Sequence, residues 1–176
     1  MIKSFSNKNI KSYQKKYRSG YGINFPEGHV IRHSKFFRNK ERVLDFGCGN
    51  GTHLNFFRTL NVKNLYGVET SSFALKKVKS KIIKKYQISN FENLLDFLPE
   101  KKFDLIFSNQ VLYYLDETEL KFYLMQFYKL LKKNGLVYIT FMGKNSKWYK
   151  ISKKINKSNL RKVTFSGRIK DKSYIN

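Results

Sequence analysis

Apolar and polar positions along this chain fall into two alternating rhythms. Short runs of apolar, strand-favouring residues predict strands buried on both faces, and stretches with apolar residues every third or fourth position predict covering helices. The runs are 41–46, 64–69, 86–90, 102–108 and 136–141. Helices are expected from Gly51 to about Leu60, with Leu54, Phe57 and Leu60 inward, and from Ser72 to Lys85, with Phe73, Leu75, Val78, Ile82 and Ile83 apolar. A short one is expected over 91–98, stopped by Pro99, and a long one from an Asp116 cap to about Lys132, closed by Asn134-Gly135. Ahead of the first strand, residues 1–20 predict a short lid-like or frayed helix with Tyr13 and Tyr17 on one face. Pro26 and Glu27 mark a second helix start, with Val30, Ile31, Phe36 and Phe37 apolar. After Met142 the rhythm fades. Trp148, Ile151 and Ile155 keep helical spacing, and 163–165 predicts a short strand.

Composition narrows the class. A chain of 176 residues with 41% hydrophobic and 16% aromatic residues has enough apolar surface for a folded domain. It holds no apolar run of membrane-spanning length and no signal-peptide core at Met1–Ser6. The single Cys48 excludes an internal disulfide and a cysteine-rich metal site. These features predict a cytoplasmic protein, with no metal. The charge is unusual: 36 Lys and Arg against 12 Asp and Glu give +24. A polyanion partner, nucleic acid or an anionic membrane, is one reading. A compositional bias is the other, since Lys, Asn, Ile, Phe and Tyr are all abundant. The basic residues are spread along the chain and Lys far outnumbers Arg, which favours the second.

The chemistry concentrates at Val43-Leu44-Asp45-Phe46-Gly47-Cys48-Gly49-Asn50-Gly51-Thr52. A buried strand runs into three alternating glycines and then a helix. The turn leaves room for a ligand to approach the backbone, and the helix start adds free N–H groups. Asp45 at the strand end argues for a ligand with positive or hydroxyl groups. The spacing is neither the dinucleotide G-x-G-x-x-G nor a P-loop. Residues 43–51 resemble, at every position, the first motif of class I S-adenosylmethionine-dependent methyltransferases.

The resemblance extends over about residues 21–141. YGINFPEGHVIR resembles the aromatic-Pro-Glu…Arg lead-in of some small-molecule members, whose aromatics close over the cofactor. Glu69 ends the second run 18 residues after Gly51, with Thr70 beside it, and matches the acid that accepts both ribose hydroxyls. Asn90 and Phe91 stand where the family often has an Asp for the adenine amino group, with Glu92 as an alternative. Phe103–Ser108 and the following Asn109-Gln110-Val111-Leu112-Tyr113-Tyr114-Leu115 match the fourth motif, so Ser108, Asn109 and Gln110 line the methyl-donor end. Tyr114 replaces a His common in relatives, and a tyrosine is a poorer base. LLKKNGLVYIT matches the element before the fifth strand.

The resemblance implies a Rossmann-like three-layer sandwich with a mostly parallel sheet. Its C-terminal antiparallel hairpin is expected to be short or missing. The expected domain spans 1–143, with 1–40 as a lid or helical lead-in and 144–176 as a basic tail, either that of a shortened member or one that continues in a longer natural chain. The implied cofactor is S-adenosyl-L-methionine, bound by Asp45, Gly47, Cys48, Gly49, Gly51, Glu69, Thr70, Asn90, Phe91, Ser108 and Asn109. Asn109, Gln110 and Tyr114 are the candidate catalytic residues. The implied reaction is direct methyl displacement onto a small-molecule acceptor. The rivals are a basic nucleic-acid-binding or RNA-modifying protein on the same fold and a shortened, inactive cofactor-binding domain. Ser108-Asn109-Gln110-Val111 in place of an Asn-Pro-Pro-Tyr motif favours the small molecule.

Overall fold

The computed structural model describes residues 5–98, 102–155, 161–165 and 171–175. Five strands form one parallel sheet: β1 (Arg42–Phe46), β2 (Asn64–Glu69), β3 (Ile83–Gln87), β4 (Phe103–Ser108) and β5 (Leu131–Ile139). Their spatial order is β3-β2-β1-β4-β5. Every pairing is parallel, with Val43 opposite Leu65 on one side and Leu105 on the other. The order reverses between β1 and β4, and a sheet of this kind opens a crevice at the carboxyl ends of the two strands flanking that reversal.

Alternation along the strands splits the core in two. Val43, Leu65, Leu105 and Phe107 face a cluster with Val30, Phe37, Leu54 and Phe57. Leu44, Phe46, Val68 and Ile106 face a second with Leu94, Tyr123, Phe127 and Leu130. The first face is covered by α2 (Gly28–Arg32), α3 (Thr52–Thr59) and α4 (Ser72–Leu75). The second is covered by α5 (Leu94–Phe97) and α6 (Glu117–Leu130). Full burial of Leu54 or Phe57 stabilises the fold by roughly 1.5–3 kcal/mol each. Gly67 lets α3 lie this close, because a Cβ there would fall 2.7 Å from Leu54 Cδ1.

The expected sandwich is therefore present, with four boundary corrections. The helix expected over 72–85 stops at Leu75, because Lys85 Nζ turns back to the carbonyls of Leu75 and Val78 (3.2 and 2.8 Å) and ends it. Ile83 then enters the sheet opposite Leu65, so β3 begins earlier than expected, and Ile82 is exposed rather than inward. The helix expected over 91–98 shortens to Leu94–Phe97, with the Asn93 carboxamide oxygen accepting from Leu95 N (3.2 Å). Pro99 lies outside the described residues. Helix α6 opens on a full capping box between Asp116 and Glu119 but ends at Leu130. Asn134, at φ 64, makes the expected turn inside an irregular stretch of β5.

The C-terminal hairpin differs most from expectation. A short α7 (Lys147–Ile151) precedes β6 (Lys153–Lys154), β7 (Arg161–Phe165) and β8 (Asp171–Ile175). These make a separate antiparallel sheet, β6-β7-β8, and do not extend the edge of the parallel one. Apolar alternation is weak there and lysines are frequent, so sequence pattern alone shows only one of the three strands. The N-terminal segment does hold a helix: α1 (Phe5–Arg18) lies alongside α4 and β8. No described helix is long and apolar enough to cross a membrane.

Candidate functional site

A cleft opens at the carboxyl ends of β1, β2 and β4, where the sheet order reverses. Its floor is the glycine turn. Gly47 and Gly49 both line it, and both have positive φ (80° and 55°). At Gly49 a Cβ would also overlap the hydroxyl of Tyr17, which α1 lays over the turn. Cys48 lines the cleft with its thiol buried, and burial beside Asp45 and Glu69 holds that thiol well above its ordinary pKa. It is therefore a protonated, inert packing group. Gly51 does not line the cleft; it is the left-handed N-cap of α3.

Glu69 is fixed before any ligand arrives. Its Oε2 accepts from Gly49 N (2.9 Å), and its Oε1 accepts from Thr70 N (2.8 Å) and Ser71 N (2.9 Å). The carboxylate thus binds the glycine turn to the end of β2 while still lining the cleft with Thr70. Asp45 sits below, 1% exposed and outside the lining. Burial, then Glu69 and Glu27, push its carboxyl well above the usual carboxylate range. Among the described residues its Oδ2 has no hydrogen-bond partner. An unsatisfied buried carboxylate is expensive unless a positive group comes near.

The adenine-side residues separate. Asn90 and Ile88 line the cleft. Phe91 does not: its ring packs on Phe122 at 5.6 Å and is 42% exposed, which removes it from the expected stacking position. Glu92 is spent on the amide of Ser89. Ser108 is also outside the lining, its buried hydroxyl donating to Phe46 O (3.1 Å), so it joins β4 to β1.

The other half of the cleft gathers residues from four distant segments. Glu27 is the N-cap residue of α2, yet its carboxylate makes no cap and reaches across the cleft. Its Oε2 accepts from His53 Nε2 (2.7 Å) and its Oε1 from Gln110 Nε2 (3.2 Å). Gln110 N donates to Thr140 Oγ1 (2.7 Å), Thr140 donates to Asn109 Oδ1 (3.0 Å), and His29 Nε2 donates to the same oxygen (2.9 Å). Two bridges therefore tie the lead-in to the segment after β4. They hold Gln110 at φ 59, a conformation uncommon outside glycine and a mark of functional segments. His53 is only 6% exposed; burial lowers its pKa even though Glu27 opposes the shift. Its contact with Glu27 is accordingly a hydrogen bond from a neutral ring.

Tyr114 meets Tyr13 edge to face at 5.2 Å, and burial followed by Tyr13 raises its pKa well above normal. It lines the cleft with Asn109 and Gln110 but cannot serve as a base near neutral pH. Tyr13, Tyr17, Tyr21, Glu27 and His53 line the site as well. The tyrosine spacing in α1 and the aromatic-Pro-Glu lead-in that begins at Tyr21 hinted at all of these in sequence but His53.

The cleft suits a cationic nucleoside. Two carboxylates line it, Glu69 and Glu27, and no lysine or arginine does among the described residues. An orphan carboxylate oxygen lies beneath it. Glu69 would hold the ribose of S-adenosylmethionine, and the glycine turn would admit its methionine portion. A parallel sheet with this turn, this acid and this strand order is the fold of class I S-adenosylmethionine-dependent methyltransferases. The chain belongs to the methyltransferase domain family, whose model matches residues 20–162.

Among curated proteins it is similar to a ubiquinone biosynthesis O-methyltransferase of Pelagibacter ubique, 31% identical over 61% of this chain and 45% of that one. It is also similar to a malonyl-[acyl-carrier protein] O-methyltransferase of Ilyobacter polytropus, 33% identical over 59% of this chain and 40% of that one. The chain thus matches less than half the length of these relatives. The fold is that of the solved PH0226 protein of Pyrococcus horikoshii, at a TM-score of 0.70 and 14% identity, over 93% of this chain and 83% of that one.

Proposed function

We propose that this chain binds S-adenosylmethionine in the cleft and transfers its methyl group to a small-molecule acceptor by direct displacement. The observation that carries the reading is the lining: carboxylates and, among the described residues, no lysine or arginine, in a chain of net charge +24. A sulfonium is stabilised there, and a phosphate backbone would meet no cationic partner in the lining. The two curated relatives are both named as O-methyltransferases, which supports transfer to an oxygen of a small acceptor group.

The chain's contribution is positioning. Glu69 orients the ribose and presents the turn, Asn90 lies on the adenine side, and Asp45 offsets positive charge from below. Asn109 and Gln110 are held rigidly where the methyl group would be delivered, and the tyrosines of α1 and Tyr114 keep water out. Bound S-adenosylmethionine supplies the activated methyl; no protein nucleophile is required. Calorimetric titration with S-adenosylmethionine and S-adenosylhomocysteine tests the reading. Micromolar binding of both supports it, and no heat from a folded sample refutes it.

A further inference from the structure

Glu27 is not absorbed by cofactor binding. It lines the same cleft as Glu69 and is bonded to Gln110 in the segment after β4. Its side chain is 26% exposed although it accepts hydrogen bonds from both His53 and Gln110. A carboxylate has about four acceptor positions, and two of those of Glu27 are taken among the described residues. Tyr13, Tyr21 and Tyr114 line the same cleft, and burial followed by the charge of Glu27 raises the pKa of Tyr21. Tyr114 and Tyr13 meet edge to face at 5.2 Å. Lys16 lies outside the lining, with its ammonium 4.4 Å from the centre of the Tyr13 ring and 5.8 Å from that of Tyr21.

We infer that the acceptor side of the cleft recognises a small molecule bearing a protonated amine, anchored on Glu27 in a lining that also presents Tyr13, Tyr21 and Tyr114. The inference rests on the methyltransferase reading and adds the acceptor class. Aromatic faces attract ammonium groups, most strongly where water is excluded, and a carboxylate in the same lining fixes the position. An anionic acceptor would face Glu27 with no lysine or arginine in the lining, among the described residues, to offset it. The ammonium is the handle and not the methylated atom: a nitrogen kept protonated by a carboxylate has no lone pair for the sulfonium. The acceptor must therefore carry a second, uncharged nucleophilic atom. His29 and Asn109 are already engaged with each other at 2.9 Å and leave the handle to Glu27.

The test uses the full chain saturated with S-adenosylhomocysteine, titrated by calorimetry with tyramine and, separately, with 4-hydroxyphenylacetate. The two probes share a phenol and differ in the sign of their remote charge. Tyramine should bind at least about tenfold more tightly, as complementary charge in a partly desolvated site implies. Glu27→Gln should bring the ratio of the two affinities close to unity. The wild-type comparison stands even if that variant fails to fold. Equal or tighter binding of the carboxylate overturns the inference. So does absence of tyramine binding, because S-adenosylhomocysteine has its own ammonium and would then be the group that occupies Glu27. Failure of S-adenosylhomocysteine itself to bind refutes both readings, and the two failures are thereby distinguished.

Discussion

The two halves of the cleft are built in opposite ways. The half around Glu69 comes from one short stretch of chain: a strand, a glycine turn and the tip of the next strand. Its carboxylate is held by three backbone amides, Gly49, Thr70 and Ser71. The half around Glu27 draws on the lead-in, α3, the segment after β4 and the end of β5. There side chains bond to side chains, and one residue is held in a left-handed conformation. Backbone donors cannot be changed by substitution, whereas a side-chain network can be altered one residue at a time. The first design suits a ligand that stays the same, the second a ligand that differs between proteins.

Breaking the first half should have the larger effects. Gly49→Val puts a branched side chain at φ 55 and into the Tyr17 hydroxyl; it should cost about a hundredfold or more in S-adenosylhomocysteine affinity by calorimetry. Circular dichroism would show whether the fold survives, and retained affinity would remove the turn from the binding surface. Glu69→Ala leaves three amide donors without their acceptor. A loss of roughly ten- to a hundredfold in affinity is expected, with about 1–3 kcal/mol of stability lost in urea unfolding. Unchanged affinity would end the ribose assignment.

Asp45 should separate stability from binding. Its carboxyl is pushed up in the folded ligand-free protein by burial, Glu69 and Glu27. A raised acid pKa means that stability is greatest below the ordinary carboxylate value and is lost as pH climbs towards the raised one. Asp45→Asn should therefore raise the Tm of the ligand-free protein at neutral pH. It should weaken the cationic S-adenosylmethionine more than the neutral-sulfur S-adenosylhomocysteine. In the wild type, affinity for S-adenosylmethionine should rise with pH across the same window, because the cation favours the ionised form. A flat pH profile would show that Asp45 does not sense the ligand.

The smallest effect is expected in the second half. Gln110→Gly removes about 1–2 kcal/mol of left-handed strain. It gives back about 0.5–1 kcal/mol in backbone entropy and loses a hydrogen bond of about 1 kcal/mol. Tm should move by no more than about 4 °C. A larger fall would mean that Gln110 supports the fold and not only the cleft.

This contrast also explains what the sequence revealed. Val43–Gly51 and Glu69 were legible because the local order of apolar strand, glycines and acid already contains their geometry. Ser108 sits at the expected end of β4, yet its hydroxyl is turned into the sheet, a matter of strand alternation that pattern matching ignores. Phe91 was misplaced because a left-handed turn at φ 55 aims it outward. Ile82 and Ile83 fit either a helix or a strand, and only pairing with Leu65 decides between them. Glu27 and His53 stand 26 residues apart, and no local rule joins a helix-start acid to a histidine on another helix. The β6-β7-β8 sheet was missed because its strands are short and lysine-rich.

The Tyr17 hydroxyl above Gly49 has a steric meaning. A Cβ at position 49 would overlap it, so the side chain that the glycine lacks is the space that the tyrosine occupies. The turn and α1 are thereby fitted to one another, and trimming Tyr17, with the turn left intact, is the change that would widen the approach to that backbone edge.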